Sequence, residues 1–224
     1  QIGDLIQSLP EARVLACTAT ATPVVRDEIL ERLGLPTDTP QLVRGFARPN
    51  LSLRVAEANS RAERTRRINQ LLSESLDKPN AGRGTAIIYA PTRKSTEEEA
   101  ARLSGEGWNC QAYHAGMEGE QRDAVQRSFA EGKLEVVVAT NAFGMGIDRA
   151  DVRAIGHLAP PGSVEAYYQE VGRAGRDGND ATCLLLISPS DMALRRKLIL
   201  LDGEGEAAQH KWNLFLELMR WSEG

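Results

Sequence analysis

Two arginines stand three positions apart in Gly172-Arg173-Ala174-Gly175-Arg176, each directly after a glycine. Arginine is permanently cationic and offers a planar fork of donors matched to phosphate oxygens. The glycines let a bulky ligand or a facing domain come close. Such a pair suits a triphosphate whose terminal group gains charge during transfer. The same residues also suit the end of a surface helix, where the cations complement the helix dipole. Taken alone, the motif leaves both readings open.

Other segments offer related chemistry. Thr92-Arg93-Lys94 brings a hydroxyl and two cations to a strand end, fit for a phosphate contact or for an ordinary polar loop. Thr140 to Asp148 contains two glycines that leave backbone N–H groups open to a phosphodiester, and Thr140 adds a hydroxyl. Asp148 is placed to accept from a ribose hydroxyl, or simply to cap a glycine turn. His114 has no second histidine or cysteine at metal spacing, which makes it a hydrogen-bonding loop residue rather than a ligand. Thr18 and Thr20 read as turn chemistry. No G-x-x-x-x-G-K-[ST] loop occurs, and Asp27-Glu28 lies within a helix, a poor magnesium site. The chain thus carries phosphate-facing arginines without the means to hold a magnesium nucleotide, as if it were half of a two-part site.

The elements that must position these residues alternate. Apolar runs predict strands at Arg13–Cys17, Gln41–Val43, Leu51–Val55, Thr85–Ala90, Asn109–Tyr113, Glu135–Ala139, Arg153–Leu158 and Thr182–Ile187. Helical spacing predicts helices over Pro23–Leu33 (capped by Thr22 and stopped by Gly34), Arg61–Leu76, Ser95–Ser104, Glu118–Glu131, Ser163–Val171 and Ser190–Leu201. Ser95 with Glu98 reads as a capping box, and the four arginines of Arg61–Arg67 as a solvated face. Strand–helix repetition with short connections implies an α/β fold, a mostly parallel sheet flanked by helices. The polar segments Pro91–Lys94, His114–Met117 and Thr140–Asp148 all follow strands and are expected on one rim. That company favours phosphate chemistry for the arginine pair.

At 224 residues the chain has room for one full domain and part of another, and the loop Phe46–Asn50 is the expected boundary. Hydrophobic and charged fractions of 42% and 26% are those of a soluble globular protein. A net charge of -4 argues against bulk adhesion to nucleic acid or an anionic membrane, though not against a local basic groove. Cys17, Cys110 and Cys183 are too scattered for a disulfide framework or a zinc site, and read as buried free thiols in a reducing compartment. Starting at Gln1 within what reads as domain interior, the chain is expected to be an excised fragment.

In this order the motifs resemble the RecQ family of superfamily 2 DNA helicases. The resemblance rests on LACTATATP (Leu15–Pro23), FARPNL (Phe46–Leu51), AIIYAPTRK (Ala86–Lys94), AYHAGM (Ala112–Met117), VVVATNAFGMGIDRADVRAIGH (Val136–His157) and EAYYQEVGRAGRDG (Glu165–Gly178). It implies a RecA-like fold of the P-loop NTPase superfamily. Residues 1–45 would close a first lobe, 46–201 form the second, and 202–224 open a zinc-binding module. The implied activity is ATP-driven 3′ to 5′ unwinding in DNA repair and recombination, in the cytoplasm or nucleus and away from membranes. ATP and Mg²⁺ would be held largely by the preceding lobe, and Zn²⁺ by segments beyond Gly224. The resemblance makes Arg176 the arginine finger with Arg173 beside it, and Gln169, Asp148 and Gly146 nucleotide-side positions. Thr92, Arg93, His114, Thr140 and Asn141 would line the track for single-stranded or forked DNA, and Thr18 and Thr20 would couple nucleotide state to DNA grip. A fragment of this kind is expected to be inactive alone. A noncatalytic RecA-like module that binds single-stranded DNA or a protein is the alternative.

Overall fold

The computed structural model describes residues 2–9, 11–18, 23–43, 48–140, 143, 149–201 and 203–223. It separates into two compact units, Gln1–Ala47 and Arg48–Gly224.

In the first unit, α1 (Ile2–Gln7) packs on α2 (Pro23–Leu33). The approach is close: a Cβ added to Gly3 would lie 2.5 Å from the Arg32 carbonyl oxygen. Gly34, at φ 64°, ends α2, and the Leu35 amide closes back on the Leu30 carbonyl at 2.9 Å. This is the left-handed stop that glycine makes without steric penalty. The expected strands Arg13–Cys17 and Gln41–Val43 do not form; both segments are irregular, and Leu15 and Leu42 are exposed. A strand exists through its ladder to a neighbour, and among the described residues no strand lies beside either segment. Thr22, the expected cap of α2, lies outside the described residues.

The second unit holds six strands: β1 (Leu51–Glu57), β2 (Thr85–Tyr89), β3 (Cys110–Tyr113), β4 (Val136–Ala139), β5 (Val152–His157) and β6 (Ala181–Ile187). They form one sheet in the order β1-β6-β5-β2-β4-β3, and every pairing is parallel. Connections run through α3 (Arg61–Leu76), α4 (Arg93–Gly105), α5 (Gly119–Ala130) and α6 (Val164–Val171); α7 (Pro189–Leu201) and α8 (Glu206–Glu223) follow β6. The inner strands β2, β4, β5 and β6 bury both faces, as crossover helices require, while the edge strand β1 is largely exposed. Ile87, Tyr89, Val137, Ala139, Cys183 and Leu185 face the core shared with Phe129 of α5, Tyr167 of α6 and Leu218 of α8. Their neighbours Ala86, Ile88, Val136, Val138, Leu184 and Leu186 face Ile68, Leu71 and Leu72 of α3 and Leu103 of α4. Each fully buried Leu, Ile or Phe contributes roughly 1.5–3 kcal/mol relative to exposure. Among the described residues no helix is long and apolar enough to cross a membrane.

The start of α4 differs from expectation. α4 begins at Arg93, capped by Thr92: the Thr92 hydroxyl accepts from the Ser95 amide, and the Ser95 hydroxyl accepts from the Thr92 amide, each at 3.1 Å. The reciprocal box is therefore Thr92/Ser95, one turn earlier than Ser95/Glu98, because a second hydroxyl closes it as well as a carboxylate does. In α3 the box is Ser60/Glu63.

The α3 arginines are not all a solvated face. Arg64 turns inward at the strand C-terminal edge and donates to the Leu158 carbonyl at 2.7 Å, to Ser188 Oγ at 2.7 Å and to Asp191 Oδ1 at 3.0 Å. Asp191 is 3% exposed and also accepts from the Ser188 amide at 2.7 Å. One guanidinium thus ties the ends of β5 and β6 to the start of α7.

Candidate functional site

Because all six strands run the same way, their C-terminal ends form one edge. The β2–α4, β3–α5 and β4–β5 loops leave from it, and they carry Thr92 and Arg93, His114, and Thr140. The Thr140 amide donates to the Tyr113 carbonyl at 3.1 Å, which fixes the start of its loop against the end of β3. Arg93 extends over the β3–α5 turn, where a Cβ on Gly116 would sit 2.9 Å from Arg93 Nη1. His114, 5% exposed, meets Glu97 of α4 through Nε2 at 3.0 Å. The structure therefore brings these four expected residues together on one rim. There the first-turn amides of α4 point outward with the positive end of the helix dipole, beside exposed Arg93 and Lys94. That combination of a helix start and fork donors is chemically suited to an anion such as a phosphodiester. The Thr92 hydroxyl is already committed to the cap, so its part in the rim is to hold the helix start in place.

The arginine pair lies elsewhere. α6 starts near the rim at its cap Ser163 and runs back across the sheet, so Gly172–Asp177 emerges at the opposite edge. The Gly175 amide donates to the carbonyl of Val152, the first residue of β5, at 2.9 Å. Arg173 is half-buried and its side chain hydrogen bonds to Tyr89, whereas Arg176 and Gln169 are exposed. Tyr89 is buried, which pushes its hydroxyl well above the usual tyrosine range, and the hydroxyl also approaches the Phe143 carbonyl at 3.4 Å. Tyr89 thus touches both the Thr140 loop and the arginine segment. Beneath it, His157 stacks at 5.0 Å and shares a 2.7 Å hydrogen bond with Glu170 of α6, both buried. These contacts fasten α6 to the sheet and set the height of the turn that follows it.

Thr18 is exposed in the first unit. Thr20, Asn141, Gly146 and Asp148 lie outside the described residues. Among the described residues no group of three or more histidine, cysteine, aspartate or glutamate side chains lies close enough to hold a metal ion. Sequence reasoning passed over Arg48 and Asn50, which hold the arginine turn, and the His157–Glu170 pair. The first two stood within the FARPNL motif, a visible signal without an assigned role.

Comparison with known proteins bears on the fold and the family. Residues 63–178 match the helicase conserved C-terminal domain. The chain is 40% identical, over 93% of its length, to the ATP-dependent DNA helicase RecQ of Pasteurella multocida. It is 37% identical, over 98%, to the mouse bifunctional 3'-5' exonuclease/ATP-dependent helicase WRN. It spans 32% and 16% of those two proteins. Among solved structures, Saccharomyces cerevisiae Dbp5 bound to RNA and ADP BeF3 superposes with a TM-score of 0.62 at 19% identity, covering 87% of this chain and 48% of that one. The Escherichia coli DEAD-box protein SrmB gives 0.53 at 25% identity, covering 64% and 80%. With its six-stranded parallel sheet, its matched domain and its RecQ helicase relatives, the chain belongs to the helicase conserved C-terminal domain family, related to the RecQ DNA helicases.

Proposed function

We propose that this chain is the second motor lobe of an ATP-dependent 3′ to 5′ DNA helicase of repair and recombination. In this reading residues 1–45 end a first lobe, 46–201 form the second, and 202–224 open a zinc-binding module. The observation that carries it is the separation of two phosphate-suited surfaces on one sheet. One is the rim of Arg93, His114, Thr140 and the α4 start; the other is the turn bearing exposed Arg176. A strand and a nucleotide then have different addresses, joined through α6 and Tyr89. Arg176 serves as the finger that meets the developing charge on a γ-phosphate held by the preceding lobe, with Gln169 beside it. Arg93 and the α4 amides hold a strand phosphate, and Thr140 a second one along the track. Mg²⁺ and Zn²⁺ are assigned to segments outside these residues, and no step here passes through them. Alone, the chain turns over no ATP.

In the two-lobe enzyme, Arg176→Ala is expected to lower ATP turnover by about 10³-fold or more. Its affinity for a single strand, read by fluorescence anisotropy, stays within about twofold, because the rim is untouched. Equal loss of both, or measurable turnover by the isolated chain, would overturn the reading.

A further inference from the structure

We infer that Arg48 and Asn50 are positioning residues that aim Arg176, an inference that rests on the reading of Arg176 as the finger. Besides the backbone bonds that tie the turn bearing Arg176 to α6 and to the start of β5, two side chains from the first residues of the unit hold it. Arg48 Nη2 donates to the Gly175 carbonyl at 2.6 Å and to the Ala174 carbonyl at 3.3 Å. Asn50 Nδ2 donates to the same Gly175 carbonyl at 2.9 Å and to the Asn179 carbonyl at 2.8 Å. The Gly175 carbonyl also accepts from the Gly178 amide at 3.0 Å, and of its donors Arg48 is the charged one, which makes the stronger bond. Both hydrogens of the Asn50 amide are taken as well.

The geometry leaves no slack. Gly175 adopts φ 54°, and a Cβ there would lie 2.5 Å from Asn50 Nδ2 and 2.7 Å from the Asn179 carbonyl oxygen. The absence of a side chain at 175 is what lets the Asn50 amide reach the carbonyl, and this explains why glycine must precede Arg176. Below the turn, Ala174 is fully buried; beyond it, Arg153 pairs with Asp177. The peptide immediately before Arg176 is fixed from three sides. The Arg176 side chain leaves an anchored backbone, so fewer of its directions remain open. Arg48 and Asn50 contact backbone on the turn and no part of the rim, so they act on catalysis through Arg176.

The test is kinetic, in the two-lobe enzyme. Arg48→Met and Asn50→Ser are expected to lower kcat for ATP by about ten- to a hundredfold, the scale of a one-ångström misplacement of a catalytic group. KM for ATP and affinity for single-stranded DNA stay within about twofold, because neither residue touches a ligand. In an Arg176→Ala background the same substitutions lower kcat by less than about twofold, since the group they aim is gone. Full loss in that background would overturn the inference, as would a KM that rises in step or variants that lack a folded second lobe by circular dichroism. Should Arg176→Ala alone retain wild-type turnover, the finger reading fails, and that outcome is separate from the Arg48 measurement.

Discussion

Replacing Arg64 by methionine keeps the apolar stem and removes the guanidinium, so it isolates the clamp at the strand ends. Asp191, 3% exposed, would lose its hydrogen-bonded cation and keep only the longer-range attraction of Arg195. Breaking a buried ion pair from one side costs about 3–5 kcal/mol, because the remaining charge is stranded in a poorly solvated site. The Ser188 amide still donates to Asp191, which places the loss toward the low end. The Leu158 carbonyl also loses its 2.7 Å donor, worth about 1 kcal/mol. With a urea m-value of about 2 kcal/mol/M, a loss of 3–5 kcal/mol lowers the unfolding midpoint by about 1.5–2.5 M. Arg66→Met is the control: Arg66 is exposed on the same helix, and its midpoint should move by less than about 0.3 M. The double variant Arg64→Met/Asp191→Asn should recover more than about half of the loss, because the stranded charge is neutralised. A midpoint shift for Arg64→Met no larger than the Arg66 control would refute the reasoning and return Arg64 to the solvated face.

Two further outcomes follow from burial and charge. Burial pushes the Cys110 and Cys183 thiols up to about 12, so in the native protein at pH 8 only exposed Cys17 should react with a thiol reagent; three equivalents without denaturant would contradict this. Arg153 holds the Asp177 carboxyl well below the usual carboxylate range. A lowered native value gives stability that is present above the unfolded pKa of about 3.9 and lost as pH falls through the lower native one. The difference in Tm between the wild type and Arg153→Gln should therefore stay constant from neutral pH to about pH 5 and shrink only in stronger acid; shrinkage already complete at pH 5 would refute the assignment.

Much of the fold was legible because the strands carry their own signal. Glu135 to Ala139 and Thr182 to Ile187 are short apolar runs ended by polar residues, which is how a strand buried on both faces must read. What sequence spacing did not show was convergence. Arg64 looks like its neighbours Arg66 and Arg67 on a helix, and only the meeting of β5, β6 and α7 above it makes it a clamp. Arg13 to Cys17 is apolar enough for a strand, yet strand character belongs to a pair, and the described chain offers it no partner. The rim residues were legible individually as polar positions after strands. That the arginine turn sits at the opposite edge depends on the path of α6, which no local pattern encodes. Arg48 and Asn50 carried a visible motif, but their purpose appears only once a carbonyl far along the chain is brought to them.

That distance has a consequence for how the protein is made. Among the described residues β1 occupies the sheet edge and pairs with β6 alone, and Arg48 waits 127 positions for Gly175. At a synthesis rate of about 5–20 residues per second, the ribosome needs roughly 6–25 s to cover that gap. Throughout it, the nascent β1 has no strand to join, and its Leu53 and Val55 are open to other chains. Arg54 and Glu57 within the strand are the kind of charges that discourage such pairing. Both the β1–β6 pairing and the seating of the arginine turn on Arg48 and Asn50 need residues that are made late in the second unit. The edge strand and the anchored turn therefore depend on the same late-made stretch of chain, residues 175–187.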